Sequence, residues 1–519
     1  MDEVRAGRRE LAGRLGEALR GVGFTYDGVA ELLGPLAHEA LGRNETTPGL
    51  RRTTGGSPVE TLTRLFLLQA PVRRSEAETA LPGLVDRLSA EGFLAASVGE
   101  VAARLDVRPY AATDAGGERD LWVVSDLTPG LDGSEARVGS DHVLGISPAS
   151  LSLARMTDRT PVGSALDLGT GCGVQALHLA AHSERVVATD VNQRALRMTE
   201  FNVALNDLPA IEVRDGSFFA PVAGERFDLI ATNPPFVISP ATGERLVYRD
   251  SGLPGDRVVE DLVRAAPDHL TEGGLCQVLA NWVILREQPW EERLAGWLDP
   301  GCDALVVQRE VVDPAEYVEL WLKDSGHHGA ADYRQRYDTW LSWLEDQGVS
   351  GIGFGWVNLR RVGREGSSRF LDWPHAVEQP VASALRGWFD ATDRLSRRDD
   401  LASLRLIRRD DVLQETVGQP GAEDPETIVL RQQRGLRRAR TVGTVEAALV
   451  GASDGDLTVG QILDAVAQLL DRDPGDVRRT GLPTVAELVE EGYLLARPTG
   501  VTSVRFLCLP GDDDPAAPR

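Results

Sequence analysis

The residues with the clearest capacity for chemistry form the run Asp167-Leu168-Gly169-Thr170-Gly171-Cys172-Gly173. An apolar segment at 165–168 predicts a strand before the run, and 174–181 predicts a helix after it. The glycines let the backbone turn tightly and approach a ligand closely. Asp167 ends the predicted strand, where its carboxylate can meet the cationic amine of a ligand. The run therefore predicts a small-molecule site, although such a loop alone fits a dinucleotide equally well.

Two further acidic residues end the next two predicted strands. Asp190 closes the segment 185–190, and Asp215 follows 211–213 in the phrase Asp215-Gly216-Ser217. The first is suited to ribose hydroxyls and the second to an adenine amino group. Taken singly, each could be a turn former at the end of a strand. Because the carboxyl ends of neighbouring parallel strands share one crevice, the three acids in order favour a ligand site.

A second motif, Asn233-Pro234-Pro235-Phe236, follows a predicted buried strand at 227–231. Proline lacks the amide donor and restricts φ, so the strand must end abruptly there. The side chain of Asn233 and the carbonyl of Pro234 are then expected to enter the crevice. The alternative is a plain strand-ending turn with Phe236 in the core. The motif follows the ligand-binding motifs along the chain, and this position favours the functional interpretation.

Together these motifs resemble the class I S-adenosylmethionine-dependent methyltransferases, with the resemblance covering 138–362. The Asn-Pro-Pro-Phe phrase is similar to the Asn/Asp-Pro-Pro-aromatic motif of HemK-like and N6-adenine-type N-methyltransferases. The resemblance implies S-adenosyl-L-methionine as the cofactor and no metal. It assigns the cofactor site to Asp167, Gly169, Thr170, Gly171, Gly173, Asp190, Asp215, Gly216 and Asn233.

The chemistry of a conjugated amino group explains why such a motif is needed. Its nitrogen lone pair is delocalised, so the group is a poor nucleophile. The Asn233 side-chain oxygen and the Pro234 carbonyl can each accept one N–H, which directs the nitrogen towards the methyl group. Phe236 can stack on the flat acceptor. Asn233, Pro234, Pro235 and Phe236 are therefore the predicted catalytic residues, and no histidine base is required.

The identity of the acceptor is less closely determined. Phe236 favours a base, because ribosomal and transfer RNA methyltransferases often have phenylalanine there, whereas glutamine methyltransferases usually have tyrosine. The segment 248–255 resembles the glycine-containing stretch of HemK-like enzymes, but 143–148 departs from their arginine-bearing lip. We predict an exocyclic amine in nucleic acid, with RNA favoured. A release factor or other protein glutamine is the alternative, and an inactive methyltransferase fold that only binds its partner is a third.

The positions of these motifs require a mostly parallel α/β sheet, because strand and helix signals alternate from 138 to 362. The expected fold is a Rossmann-like catalytic domain with two mainly helical flanks, 1–130 and 370–508. Similar phrases at 88–94 and 488–494 suggest that both flanks are winged-helix-like, although two unrelated helical domains fit as well. Such flanks are expected to serve substrate capture rather than cofactor binding. An acidic tail, 509–519, is expected to be disordered.

Composition limits the classes of function. A formal net charge of −24 argues against a protein that coats nucleic acid by charge alone. The arginine-rich run 431–440 could follow phosphates, or could balance nearby acids on a solvated strand. The 4 cysteines contain no C-x-x-C pair and predict neither a metal site nor a disulfide framework. The sequence contains no signal-peptide core and no membrane-spanning apolar run, which predicts a cytoplasmic protein.

Overall fold

The protein is described here from a computed structural model that covers residues 2–114, 117–133, 139, 141–240, 252–397, 400–420 and 425–496. The chain divides into two compact units, Met1–Leu385 and Arg386–Arg519. The first half of the predicted HemK-like segment, 248–251, and the whole predicted tail lie outside the described residues. No described helix has the length and apolar character needed to cross a membrane.

The described residues of the N-terminal part of the first unit form α-helices, a π-helical segment at Thr63–Leu67 and two small antiparallel sheets. Its helices are α1 (Asp2–Gly21), α2 (Tyr26–Gly42), α3 (Thr47–Arg52), α4 (Pro58–Leu62), α5 (Arg74–Ala80) and α6 (Val85–Ala90). Its strands are β1 (Val72–Arg73), β2 (Leu94–Ala96), β3 (Glu100–Ala103), β4 (Leu105–Asp114) and β5 (Gly117–Asp126). The order from α4 to β3 is helix, strand, helix, helix and two strands, with the strands arranged β1-β3-β2. The winged-helix interpretation of this segment stays a prediction.

The apolar residues 121–125 predict a strand, and they do not belong to that small sheet. They are part of β5, which pairs along its length with β4 in a separate long hairpin. Leu121, Trp122, Val123 and Val124 of β5 are buried. They belong to one continuous core that also contains residues of the central domain. A run buried on both faces lacks the alternation that would have shown which sheet it joins.

The central domain follows in the same unit. Its helices are α7 (Pro148–Met156), α8 (Val174–Leu179), α9 (Gln193–Leu205), α10 (Arg257–Ala265), α11 (Trp290–Ala295), α12 (Pro314–Asp324) and α13 (Tyr333–Asp346). Its strands are β6 (Val162–Leu168), β7 (Ser183–Asp190), β8 (Glu212–Asp215), β9 (Phe227–Thr232), β10 (Leu270–Leu285), β11 (Cys302–Val312), β12 (Val349–Arg361) and β13 (Ser368–Asp372).

The described strands of the central domain form one sheet in the order β13-β11-β12-β10-β9-β6-β7-β8. Only β12 runs antiparallel to its neighbours. The predicted mostly parallel α/β sheet is therefore confirmed. The chain reverses its direction of winding at β6, so the carboxyl ends of β6, β7 and β9 surround one crevice. The sheet continues to β13, beyond residue 362, because a short edge strand carries little periodic signal.

The second unit is described by itself. Its helices are α14 (Ala382–Ser396, which begins just before the boundary), α15 (Thr444–Ala452), α16 (Val459–Leu469) and α17 (Pro474–Glu490). Its strands are β14 (Leu406–Arg408), β15 (Val412–Val417), β16 (Thr427–Gln432), β17 (Ala439–Val442) and β18 (Leu494–Ala496). Helices α15, α16 and α17 pack around an apolar cluster that includes Leu463, Val485 and Tyr493.

The two similar phrases, 88–94 and 488–494, have the same local structure. Each ends a helix at a glycine with positive φ, 83° at Gly92 and 77° at Gly492. The next residue donates its amide proton to the same position of the preceding helix in both cases, Phe93 to Leu88 and Tyr493 to Leu488, each at 2.8 Å. Glycine is the residue best suited to that left-handed cap. The common cap explains the repeated sequence without deciding whether the two modules are related.

The arginine-rich run 431–440 lies on β16 and β17 of this unit. Arg431 pairs across the strands with Glu415 at 2.7 Å. Arg440 pairs with Glu487 and with Glu491, the latter at 3.0 Å. These acids neutralise both ends of the run, which favours the solvated-strand interpretation over a track for phosphates.

Candidate functional site

A cavity of about 560 Å³ lies at the carboxyl ends of β6, β7 and β9. The segment 142–147 that precedes α7 forms the opposite wall, and we call it the lip. The predicted site residues that line the cavity are Asp167, Gly169, Thr170, Gly171, Asp190, Gly216, Asn233, Pro234, Pro235 and Phe236. The fold thus brings together residues that lie up to about 70 positions apart in the chain. Their functional roles stay predictions at this point.

The glycine loop between β6 and α8 has a backbone that only glycine adopts readily. Gly169, Gly171 and Gly173 have φ values of 76°, 56° and 89°. A side chain at Gly173 would also meet Thr199 at 3.0 Å. Gly173 begins α8 and does not line the cavity itself. Its role is therefore to start the helix close to α9, while Gly169 and Gly171 line the cavity.

Asp167 is buried at the end of β6. Its Oδ2 accepts hydrogen bonds from the Thr170 hydroxyl at 2.6 Å and from the Ala176 amide at 2.9 Å. Burial raises the pKa of Asp167 to about 7, against the lowering effect of these two hydrogen bonds. The carboxyl group therefore holds the loop and the first turn of α8 together, while it also lines the cavity.

Asp190 performs a similar structural task from β7. Its Oδ2 accepts the Gly171 amide at 2.9 Å and its Oδ1 accepts the Asn192 amide at 2.8 Å. Burial raises its pKa, although the hydrogen bonds to its oxygens oppose that rise. Each carboxylate oxygen retains a second lone pair, so both can still accept a ligand hydroxyl.

Asp215 is placed differently. It pairs in register with Asp190, but it is exposed and does not line the cavity. The residues directly after it, Gly216, Ser217 and Phe218, do line the cavity. The adenine role of Asp215 stays a prediction. Gly216, Ser217 and the ring of Phe218 border the main cavity, whereas Asp215 does not.

The Asn233-Pro234-Pro235-Phe236 motif begins where β9 leaves the sheet. Asn233 Oδ1 is buried, and no donor among the described residues hydrogen-bonds to it. Buried acceptors in folded proteins are nearly always satisfied, so an unsatisfied one that lines a cavity marks a position for a ligand donor. The adjacent Thr232 hydroxyl donates to the Leu168 carbonyl at 2.7 Å, which ties the end of β9 to the end of β6.

The chain after the motif is held by aromatic residues of α12 and α13. The Ile238 amide donates to the Tyr317 hydroxyl, and Trp340 Nε1 donates to the Ile238 carbonyl, both at 2.9 Å. The ring of Phe236 lies edge-on to Trp321 with their centroids 6.4 Å apart. These contacts position Phe236 from outside the sheet.

A second, smaller cavity of about 230 Å³ shares Ala149 and Phe236 with the first. Trp321 and Phe354 line it as well. We call it the acceptor pocket, because Phe236 of the Asn-Pro-Pro-Phe motif lines it together with Trp321 and Phe354. It shares Leu320 and Phe354 with a third groove, which is lined by Glu310, Glu316, Glu319, Lys323 and His328 among others. An acidic groove thus adjoins the acceptor pocket.

Comparison with known proteins identifies the central domain. A family model described as "Methyltransferase small domain" matches residues 145–296, and one described as "Domain of unknown function (DUF7059)" matches 21–104. The central domain is a class I methyltransferase domain. The matched range contains the glycine loop, Asp190 and the Asn-Pro-Pro-Phe motif. The prediction of a Rossmann-like methyltransferase fold in this part of the chain is confirmed, while the predicted boundaries 138–362 stay a prediction.

The curated relatives match about a quarter of the chain. The chain is 34% identical over 152 residues to a "Ribosomal protein uL3 glutamine methyltransferase" of Bradyrhizobium diazoefficiens, covering 27% of this chain and 48% of the relative. It is 30% identical to a "Ribosomal RNA small subunit methyltransferase C" of Alcanivorax borkumensis, covering 28% of this chain and 39% of the relative. The chain thus spans less than half the length of these relatives.

Among solved structures, a T. thermophilus 16S rRNA methyltransferase in complex with AdoMet and guanosine matches 44% of this chain and 58% of its own. The sequence identity is 18% and the TM-score is 0.25.

Several residues that line the main cavity of the methyltransferase domain were not predicted. They include His142, Val191, Asn192 and Phe218. Val191 could have been predicted, because it is an apolar residue directly after Asp190. In the structure it is 65% exposed and offers a face to a flat ring. The sequence did mark 143–148 as the place of a substrate lip, but only the structure shows that 142–147 lines the cavity together with the glycine loop.

Cys172 lines the cavity but is buried, and burial raises the pKa of its thiol to about 12. It therefore remains protonated, as expected of a small residue that fits the loop. Within the described ranges, no group of three or more His, Cys, Asp and Glu side chains is arranged to hold a metal ion.

Proposed function

We propose that this chain transfers a methyl group from S-adenosyl-L-methionine to a planar amino nitrogen. The observation that carries the proposal is the buried, unsatisfied Oδ1 of Asn233, a residue that lines the main cavity. Phe236 of the same motif lines both the main cavity and the acceptor pocket. An amino N–H donated to Asn233 Oδ1 would satisfy it and orient the nitrogen. The homology of the methyltransferase domain supports the same reaction class.

The residues of the main cavity fit the proposed cofactor. The cofactor, when bound, supplies an electrophilic methyl group on a sulfonium. Asp167 and the glycine loop would hold its methionine portion, and Asp190 its ribose. Val191 and Phe218 offer apolar surfaces for its adenine ring. The volume of about 560 Å³ lies within the range of small-molecule sites.

The first candidate acceptor is an exocyclic amine of a nucleic-acid base, with RNA favoured. Phe236 faces the acceptor pocket with Trp321 and Phe354, and aromatic rings stack readily on bases. The resemblance of the domain to ribosomal RNA methyltransferases supports this acceptor.

A protein glutamine is the second candidate, and one observation favours it. Glu310, Glu316 and Glu319 line the groove beside the acceptor pocket. Carboxylates repel a phosphate backbone and attract a basic polypeptide. The pairing of the arginine-rich run with acids removes one argument for RNA.

Methyl transfer from tritiated cofactor into separate RNA, DNA and protein fractions tests the function and the acceptor together. Label that RNase releases supports the base, and label that protease releases supports the glutamine. If the protein binds the cofactor but labels no fraction, the proposed enzymatic function is wrong and the binding-protein alternative is favoured. The Asn233→Ala variant is the control for this assay. If it incorporates neither RNase-sensitive nor protease-sensitive label, the labelling depends on this site.

Asp190→Ala is expected to weaken cofactor binding by about ten- to a hundredfold, since two charge-assisted hydrogen bonds to the ribose would be lost. Asp215→Ala is the matched comparison, because this acid also ends a strand but lies outside the cavity lining. This variant should raise the Kd by a few-fold at most, which corresponds to about 1 kcal/mol or less of binding free energy. Calorimetric Kd values for both variants measure the difference. A larger effect at Asp215 would contradict the placement of the ribose at Asp190.

Cofactor affinity is expected to rise with pH. The raised pKa of Asp167, about 7, means that the free protein favours its protonated form. A bound ammonium group would lower that pKa again, so binding releases a proton below pH 7. The affinity should therefore increase by up to about tenfold per pH unit between roughly pH 6 and 7, and level off above. Asp167→Asn should flatten the profile of Kd against pH. A flat profile in the unmodified protein would refute the pairing of Asp167 with a cation.

A further inference from the structure

Two buried asparagines, Asn202 on α9 and Asn206 at its C-terminal cap, contact the N-terminal hairpin in a regular way. Asn206 Oδ1 accepts the Trp122 amide at 2.8 Å, and its Nδ2 donates to the Trp122 carbonyl at 2.8 Å. Asn202 does the same with Val124, at 2.8 and 2.9 Å. Each side-chain amide thus pairs with both backbone groups of one residue, as a neighbouring strand would.

The spacing of the two elements makes this double clamp possible. Residues 202 and 206 are four positions apart on a helix, which corresponds to a rise of about 6 Å. Residues 122 and 124 are two positions apart on a strand, which corresponds to about 6.6 Å. Both asparagines therefore meet alternate residues of β5, which expose their backbone groups on the same edge. Asn202 is fully buried, so its polar groups depend on these partners.

Asn202 also contacts the glycine loop, whereas Asn206 does not. Its Nδ2 donates a second hydrogen bond to the Cys172 carbonyl at 2.8 Å. The second donor of Asn206 is used within α9, on the Asn202 carbonyl at 2.7 Å. Thr199, one turn earlier on α9, donates to the Gly171 carbonyl at 3.0 Å. The consecutive carbonyls of Gly171 and Cys172 therefore both accept hydrogen bonds from side chains of α9. One of the donors, Asn202, is also hydrogen-bonded to β5.

The same strand holds the lip on the other side of the cavity. Asp126, at the end of β5, donates its amide to the Val143 carbonyl at 3.0 Å and accepts the Val143 amide on Oδ2 at 2.7 Å. Arg194 of α9 forms an ion pair with both oxygens of Asp126. A side chain at Gly145 would meet the Ser125 hydroxyl at 2.5 Å, so the lip lies directly against the strand.

We propose that β5 of the N-terminal hairpin is a positioning element of the cofactor site. It acts on the glycine loop through Asn202 and on the lip through Asp126. Both walls of the main cavity are thereby set by a segment that lies before the methyltransferase domain in the chain. Cofactor affinity then depends on how the N-terminal part is docked. This inference rests on the proposed function only in taking the main cavity as the cofactor site.

Asn202→Ala and Asn206→Ala form a matched pair that tests whether the connection from β5 through Asn202 to the glycine loop positions the cofactor site. Each variant loses the two hydrogen bonds to β5, but only Asn202→Ala also frees the Cys172 carbonyl from its tether. We expect Asn202→Ala to raise the Kd for S-adenosylmethionine by about five- to a hundredfold, because the loop must be ordered on binding. Asn206→Ala should change Kd by less than about threefold, even where both variants lose similar thermal stability.

Kd is measured by calorimetry on the full chain, at a temperature where circular dichroism shows each variant folded. Asn202→Ser replaces the alanine variant if the latter does not fold. Amide hydrogen exchange of residues 169–173 in the free protein is the second readout, and it should accelerate in the Asn202 variant alone. Equal Kd and equal loop exchange in the two variants would overturn the proposal. If the unmodified protein fails to bind the cofactor at all, the proposed function fails instead.

Discussion

Replacing Asn233 by alanine is expected to reduce methyl transfer by about a hundred- to a thousandfold, while the Kd for S-adenosylmethionine changes by less than about threefold. The physical reason is that Asn233 Oδ1 accepts no hydrogen bond from the described residues, so its hydrogen-bonding capacity is reserved for the acceptor. Without this oxygen, the acceptor amine is free to rotate, and the lone pair of its nitrogen stays conjugated. The loss should therefore appear in kcat, measured with saturating labelled cofactor.

Asn233→Asp is the control for this prediction. A carboxylate keeps an acceptor oxygen in the same place, and the related motif accepts either residue. This variant should retain more activity than the alanine variant by about tenfold or more. An alanine variant with unchanged kcat would contradict the catalytic role. An aspartate variant as inactive as alanine would show that the amide nitrogen, rather than the oxygen, carries the function.

Removing residues 1–126 is expected to abolish cofactor binding, and not only substrate capture as the sequence suggested. The buried core of the N-terminal part is continuous with side chains of α8 and α9, among them Val174, Leu177 and Phe201. Exposing a large apolar side chain costs about 1.5–3 kcal/mol. A few such residues together approach the total stability of an average domain, about 5–15 kcal/mol. The truncated chain should therefore be unfolded or unable to hold the cofactor.

A chain that ends at Leu385 is the comparison for this deletion. It retains the whole first unit, including the cavity and the hairpin. Its calorimetric Kd for the cofactor should stay within about threefold of the full chain. The prediction is wrong if the chain lacking 1–126 shows native circular dichroism and binds the cofactor with full affinity.

Much of the fold and the site could be predicted from local patterns. Short apolar runs predict the parallel strands of the central sheet. The run at 185–190 is one example, and the structure extends it to Ser183–Asp190. The glycine loop is equally local, because positive φ at three positions requires glycine wherever the loop folds. The position of Asn233 follows from the two prolines that end β9. These features depend on neighbours in the chain.

Other parts depend on contacts between distant residues and could not be predicted. The sequence predicts Asp215 as a cofactor ligand beside Asp190. In the structure Asp215 is the last residue of β8 and lies outside the cavity lining. The acidic groove is built from α12 and the ends of two strands, and no sequence motif joins them. Nothing in the sequence marks Asn202, because a lone asparagine in a helix has the same local pattern whether it is exposed or clamped.

The sequence alone predicts the reaction class, since the glycine loop, Asp190 and the Asn-Pro-Pro-Phe motif each depend on local backbone geometry. How the walls of the cavity are held, in contrast, depends on tertiary contacts. Trp122, Val124 and Asp126 lie 84, 78 and 17 residues before their partners Asn206, Asn202 and Val143. The pairing of a strand edge with two side-chain amides requires both elements to be folded and docked. Hydrogen bonds of this kind carry no period that a sequence could display.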